Sequence, residues 1–467
     1  MTASEQLAQF AAGSKALPKL CREYKKERAT VHLKELVGGA LSFYAAAAVA
    51  KTGGVHIFVA EDRDAAAYLL NDFYNLLDEK QVYFFPSSYK RSAAYGAEDA
   101  QGVVQRTTAM NAVRGFTKGY LVVCTYPEAL AERVVDAATL QRDTIAVKLG
   151  DKISIAVLED ALADANFTRV DFVYEPGQYS VRGGIVDVFS YSESKPYRID
   201  FFGDEVDSIR RFNISSQLSA DKLDRVEIVP NLNAGEAPRV SFVQFAGSSA
   251  TCWFYDADYV LRRVNDLRRK VLADMEEPGQ IDRLLTSRNV LLRDMAGNSV
   301  VALRDNLPER PATAAVVFDT APQPKFNKNF EMLADDMIRN SLRGYATYIL
   351  SENKVQVERL ENIFHQIGRG QAAVRSLSVT LHEGFVDNDL KLCLYTDHQI
   401  FDRYQRYRIN GEIRRDEQMT VAELNQLRPG DYVVHIDHGV GRFDGLVKIN
   451  ENGKVHEAIK LVYKDGD

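Results

Sequence analysis

YEPGQYSVRGGIVDVFSYSESKPYRIDFFGDEVDSIRRF, Tyr174 to Phe212, carries the most specific pattern in the chain. Pro176-Gly177 marks a turn. Tyr179 to Val181 alternates apolar and polar residues, as a half-buried strand does. Gly183-Gly184 interrupts the pattern, and Ile185 to Phe189 resumes it. A polar loop runs to Pro196. Tyr197, Ile199 and Phe201 then share one face, with Arg198 and Asp200 on the other. Gly203-Asp204 turns the chain into Val206 to Phe212. The expected structure is a small antiparallel sheet of its own, with charged and aromatic groups left on an open face. Phe201 and Phe202 point to opposite faces, so one is core and the other is capped by loops or exposed to a partner.

The composition around this stretch sets limits. The 467 residues are enough for roughly three or four domains. At 46% hydrophobic and 26% charged, the chain has ordinary globular content with ample core. A net charge of -7 argues against a protein whose whole surface grips nucleic acid. The longest apolar run, Phe43 to Ala50, is too short to span a bilayer. MTASEQLAQF at the start lacks the basic residues and apolar core of a signal peptide. Cys21, Cys124, Cys252 and Cys393 are scattered without a CxxC pair, which suits a reducing cytoplasm and disfavours a zinc module or a disulfide framework.

Residues 1–30 read as helical, with the charged run Arg22 to Arg28 as a solvated face. From Val31 the pattern becomes α/β. Val55 to Ala60, Val82 to Phe85 and Tyr120 to Cys124 are strands, and a helix covers Asp64 to Leu77. Such alternation predicts a doubly wound sheet with ligands at the carboxyl ends of its strands. Leu36-Val37-Gly38-Gly39-Ala40-Leu41-Ser42 stands where a phosphate loop would stand. A working loop reads GxxxxGK[ST], with its lysine on the terminal phosphates and its hydroxyl on magnesium. No lysine occurs between Lys34 and Lys51. Gly38, Gly39 and Ser42 are therefore read as a degenerate nucleotide loop, the glycines serving a tight entry into the helix. Ile155 to Ala165 is a helix, and Thr251 to Tyr255 and Ala314 to Phe318 are strands, with Trp253 in the core and a helix over Tyr259 to Glu276 between them. Ala346 to Ser351 and Lys391 to Tyr395 are strands around a helix over Lys354 to Gly368, and Val379 to Phe385 supplies another strand. Residues 402–425 read as a charged helix or tether. Near the end, Tyr432 to His435 is a strand, Gly439 and Gly441 shape a turn, and Phe443 to Ile449 pairs with Val455 to Tyr463. His435, Asp437 and His438 do not assemble a metal set at strand spacing, and a structural turn is the simpler reading.

PGQYSVRGGIVDVF followed by YRIDFFGDEVDSIRRF resembles the segment shared by UvrB and the bacterial transcription-repair coupling factors. There the small domain docks onto UvrA, the damage-scanning ATPase of excision repair. The resemblance implies UvrA-binding roles for Arg169 and Arg182, whose planar forks suit carboxylates. Tyr179 and Phe189 are candidate anchors, and strand alternation equally allows both to be core. Where UvrB has another arginine this chain has Ser180. UvrB carries an intact phosphate loop and a tyrosine-rich DNA hairpin. Here Pro86 to Gly119 is shorter, with only Tyr89 and Tyr95 as scattered tyrosines besides a helix over Val103 to Arg114, too few aromatics to clamp bases. LRPGDYVVHIDHGVGRF, from Leu427 to Phe443, is similar to the start of the RNA-polymerase-interacting domain of the coupling factors, which UvrB lacks. By position Val447, Lys448 and Ile449 are the candidates for contact with the polymerase β subunit, with cross-strand packing as the alternative for Ile449.

These features together predict a multidomain α/β chain. A degenerate P-loop-type parallel α/β domain occupies 1–142 and 233–325. An inserted small α+β domain with an antiparallel sheet spans 143–232. A second α/β domain lies at 326–405, a linker at 406–425, and the start of a small β-barrel-like domain at 426–467. The resemblance implies the N-terminal fragment of a coupling factor, a recruitment module with UvrA and the RNA polymerase β subunit as partners. It implies no catalysis, metal or cofactor in the fragment itself. ATP, magnesium and double-stranded DNA belong to a translocase motor, a helicase-superfamily hydrolase, lying further on. The competing readings are a UvrB-like ATP-dependent damage-loading enzyme and a bare nucleic-acid-binding protein.

Overall fold

The computed structural model describes residues 2–89, 98–214, 216–233, 237–275, 278–403, 405, 407–409, 430–435, 439–451 and 454–463. The chain divides into two compact units, Met1–Glu412 and Ile413–Asp467.

The first unit is built on a seven-stranded parallel sheet. From one edge to the other its strands are Ala314–Val317, Thr30–Lys34, Ser299–Ala302, Thr251–Phe254, Gly54–Val59, Tyr120–Thr125 and Val82–Phe84. The central strands are apolar on both faces because helices cover both. Ala40–Thr52 and Arg63–Leu76 bury most of their small and aromatic side chains against the sheet. Thr251–Phe254, Ser299–Ala302 and Ala314–Val317, which follow the small sheet in the chain, thus return to the sheet begun at Thr30. Trp253 lies in its centre, stacked on Phe58 at 4.9 Å and donating Nε1–H to His56 Nδ1 at 3.1 Å. Burial pushes the His56 imidazole down to about 4, so it is neutral and can accept that bond.

The helix expected from Val103 begins at Ala100 and ends at Arg114. Arg106 anchors it. Its guanidinium donates to the carbonyls of Pro86 and Ala129 at 2.8 and 3.0 Å and lies 4.0 Å over the Phe85 ring. Glu132, equally buried, faces it at 3.5 Å. Tyr95 and its neighbours 90–97 lie outside the described residues.

The small sheet has six strands in the order Ser219–Leu223, Glu205–Phe212, Tyr197–Phe202, Ile185–Val188, Gln178–Arg182 and Thr168–Arg169. All pairs are antiparallel except the last, which is parallel. The helix Ile155–Asp164, capped by Ser154, lays Leu158 and Leu162 on one face, against Tyr179, Val186, Val188, Tyr197 and Ile199. Gly177 makes the entry turn with φ +86°, and a Cβ there would stand 2.6 Å from the Tyr191 hydroxyl. Gly177→Ala is therefore expected to cost about 2 kcal/mol or more, from a left-handed backbone and a side-chain clash together. Denaturant unfolding followed at the tyrosines checks this, and an unchanged midpoint would refute it.

A five-stranded sheet follows, in the order Thr320–Pro322, Phe385–Asp387, Leu392–Thr396, Ala346–Leu350, Ser376–Leu377, with helices Phe330–Leu342 and Lys354–Gln366. The strand expected over Val379 to Phe385 is not there. Only its last residue is in a strand, Phe385–Asp387, and the preceding strand Ser376–Leu377 ends before it begins. The residues between them leave the sheet and lie against the large one. Thr380 O accepts from Asn75 Nδ2 at 3.0 Å, and the His382 amide donates to Asp72 Oδ1 at 2.7 Å.

The expected tether is also partly tied down. Tyr407 donates to Asp64 at 3.0 Å and Arg408 reaches Glu79 at 3.1 Å, so the chain as far as 409 belongs to the first unit. Positions 410–429 lie outside the described residues.

The described residues of the second unit form a three-stranded antiparallel sheet, Tyr432–His435, Gly439–Glu451 and Lys454–Val462. Gly439 and Gly441, read as a turn, instead pair in the strand opposite His435 and Val433. Asp437 and His438 lie outside the described residues. Among the described residues no helix is long and apolar enough to cross a membrane, and no group of His, Cys, Asp and Glu gathers as a metal set. All four cysteines are free and buried.

Candidate docking surface

Cross-strand pairing places two polar rows on the face of the small sheet that the helix leaves open. One runs Ser180, Asp187, Arg198, Arg210, Lys222, the other Arg182, Ile185, Asp200, Ser208. Asp187 is the centre. It is 1% exposed, yet it holds two arginines. Arg198 meets it through Nε at 2.7 Å and Nη2 at 2.8 Å, a bidentate pair. Arg182 Nη2 donates to its Oδ2 at 2.5 Å. Arg182 also donates Nη1–H to the Asp171 carbonyl at 2.9 Å and lies 4.8 Å over the Phe172 ring. Arg198 lies 4.4 Å over Phe212. Asp200 receives Arg210 and Ser208 in the same manner. Four cations on these rows stand against two carboxylates, so the face keeps an excess of positive charge.

The hairpin ends after Arg182 and after Phe202 lie at the same end of the sheet, joined by Phe201 N–H to Gly184 O at 2.8 Å. Phe201 packs into the core, and Phe202 is 84% exposed. Phe172 and Tyr174 are about half exposed beside them in sequence order. An exposed aromatic next to an arginine already oriented by a buried carboxylate is the pattern of an interface anchor.

The expected site residues separate. Arg182 is on this face. Arg169 is not: its strand pairs it with Tyr179, on the helix side, and its Nη1 meets Glu159 of that helix at 2.5 Å. Tyr179 and Phe189 are 4% and 0% exposed. They are corrected from anchors to core, since a buried ring has no surface to offer a partner. Ser180 is buried with its hydroxyl unpartnered. Asp187 and Arg198 were missed. The available signal was a carboxylate and a guanidinium on the polar phase of strands whose alternate residues are apolar.

At the glycine loop, Gly38 has φ +56° and Gly39 precedes the helix Ala40–Thr52. Ser42 Oγ lies 2.6 Å from Asp72 Oδ2 and 3.1 Å from Gly39 O. Beside them is a cavity of about 270 Å³ at the carboxyl ends of Gly54–Val59 and Thr251–Phe254. Glu61, Asp72 and Glu383 line it, with no lysine or arginine. In the second unit, Val447, Lys448 and Ile449 are strand positions opposite Ala458, Glu457 and His456. Their side chains lie outside the described residues.

Two family models match the chain. The UvrB interaction domain matches residues 145–233, and the CarD-like/TRCF RID domain matches residues 427–467. Among curated proteins, the transcription-repair-coupling factor of Bacillus subtilis is 23% identical over 93% of this chain and 43% of its own length. The proteins of that name from Staphylococcus epidermidis and Staphylococcus haemolyticus are 22% and 23% identical over 85% of the chain and 40% of theirs. The chain thus spans about two fifths of the length of the curated relatives it matches. The likeness read from the VRGG and FFGDE text and from the closing segment is borne out.

Proposed function

We propose that this chain is the recruiting portion of a transcription-repair coupling factor. The open face of the small sheet docks UvrA. The C-terminal unit engages the RNA polymerase β subunit, with Val447, Lys448 and Ile449 in the contact. The chain itself carries no catalysis and needs no cofactor. ATP, magnesium and most of the grip on double-stranded DNA belong to a translocase motor elsewhere in the protein. Its work would remove a stalled polymerase while this portion brings in repair.

One observation carries the docking reading. Within the segment matched by the UvrB interaction domain, an exposed Phe202 stands at the same sheet end as the Arg182–Phe172 pair, on a face with surplus positive charge. Such a surface suits an acidic partner with an apolar socket. The rival reading as a UvrB-like loading enzyme is disfavoured by a glycine loop without lysine.

Phe202→Ala is the cleanest probe, because the side chain has almost no contacts to lose. Arg182→Met keeps an aliphatic stem and removes the guanidinium that lies over Phe172; Arg182→Glu would add a carboxylate beside Asp187 and disturb the fold. Each of the first two is expected to weaken UvrA binding tenfold or more, equivalent to about 1.4 kcal/mol. Arg169→Ala, at the edge on the helix side, is expected to do less. Titration calorimetry on the folded variants decides. Affinity indifferent to both Phe202→Ala and Arg182→Met would end this assignment.

A further inference from the structure

We propose that the segment Leu381–Gly384 is a built-in occupant of the position that phosphates take in a working nucleotide site, so that the chain itself closes this end of the sheet. The helix Ala40–Thr52 begins where a working site would hold an anion, and here the Ala40 and Leu41 amides donate to Val37 O and Gly38 O at 3.2 and 3.3 Å. The second α/β sheet sends residues 380–384 onto that spot. A Cβ built on Gly39 would stand 2.1 Å from the Glu383 carbonyl oxygen, and one on Gly38 would stand 3.0 Å from that of Gly384. Backbone carbonyls of the chain's own segment face the glycine loop. The Glu383 carboxylate lies beside Gly38 as well.

The segment is fastened on several sides. Its His382 amide donates to the buried Asp72 at 2.7 Å, and Asp72 also holds Ser42. The His382 ring stacks on Tyr68 at 3.8 Å and its Nδ1 meets Gln405 Oε1 at 3.0 Å. His398 Nε2 donates to the His382 carbonyl at 2.8 Å. The cavity left beside the segment is lined by Glu61, Glu383 and the Asp72 carboxyl with no lysine or arginine, an acidic wall that would repel a phosphate chain. The closure therefore stands independently of the missing lysine.

Gly39 provides the test. Its φ of -64° and ψ of -7° are ordinary for any residue, so alanine there is tolerated or mildly stabilising when nothing stands beside it. With the segment seated, alanine must push it off. In Gly39→Ala the amides of 381–384 are expected to exchange with solvent at least tenfold faster than in the parent, with the small sheet unchanged. Unchanged exchange at 381–384 would overturn the proposal. The double variant Ala40→Gly/Leu41→Lys rebuilds the sequence GKS and needs no displacement. Equilibrium dialysis against ATP and magnesium is expected to find no saturable binding through the millimolar range. Saturable binding below a millimolar would show the position to be open and would overturn the proposal even if Gly39→Ala did not fold.

Discussion

Asp187→Ala is expected to destabilise the small sheet by about 3–5 kcal/mol, the usual cost of stranding buried charges. Asp187 is the carboxylate under both Arg182 and Arg198, and Arg198 is only 14% exposed along its side chain. Without it, two guanidiniums face one another across a sheet surface with no counter-charge. Asp187→Asn keeps an acceptor and the volume, so its cost is smaller. The domain that loosens is not the one that carries the only tryptophan. Trp253 sits in the large parallel sheet. Fluorescence of Trp253 is expected to report a nearly unchanged transition, while amides of Gln178–Arg182 and Ile185–Val188 lose protection. Protection equal to the parent in those strands would show that the pairs are surface decoration. UvrA binding is expected to fall with them, because Arg182 is no longer held toward Phe172.

Asp72→Asn is expected to stabilise the first unit above pH 7 and to do so much less near pH 5. The reason lies in one hydrogen. The Ser42 hydroxyl stands within reach of both Gly39 O and Asp72 Oδ2, and it has one proton to give. A proton on Asp72 resolves this: Asp72 donates to Ser42, Ser42 donates to Gly39 O, and Oδ1 still accepts the His382 amide. Burial pushes the Asp72 carboxyl up to about 7; the bonds from Ser42 and His382 pull it down, and the nearby Glu383 charge adds to the rise. Cys124 also faces it, with a thiol pushed up by burial and by Asp72. The folded value lies above the unfolded one near 4. The acid therefore contributes fully below about pH 4. That contribution is lost as pH rises to about 7, and is constant beyond. The interval corresponds to at most ~4 kcal/mol. Asparagine reproduces the protonated pattern, with Nδ2–H toward Ser42 and Oδ1 toward His382. Denaturant unfolding read at Trp253, at pH 5 and pH 8, should show a small difference between parent and variant at the lower pH and a clearly larger one at the higher. An equal difference at both would mean that Asp72 titrates normally.

Much of this was legible in local text. The period-two runs at Tyr197–Phe201 and Val206–Phe212 and the Gly-containing turns specify hairpins wherever they stand, because side-chain alternation and backbone freedom are local properties. The absence of a lysine after Gly38-Gly39 was equally plain, as was Trp253 in an apolar strand. Alternation also required that Phe201 and Phe202 part company. It also put Phe201 on the apolar face with Tyr197 and Ile199. That this face is the buried one is decided by the helix Ile155–Asp164, whose Leu158 and Leu162 pack with Tyr197 and Ile199.

Other features needed the folded chain. Val379 to Phe385 has the composition of a strand, yet its middle leaves the sheet to meet Asp72 and Gly39. Arg169 and Arg182 flank one sheet edge in sequence and stand on opposite sides of it in space. Composition, period and missing side-chain types determine the elements and exclude a working phosphate loop, since each depends on residues near one another in sequence. Which arginine faces outward, which aromatic is spare, and what lies over Gly39 depend on partners brought from distant strands, and those only packing can choose.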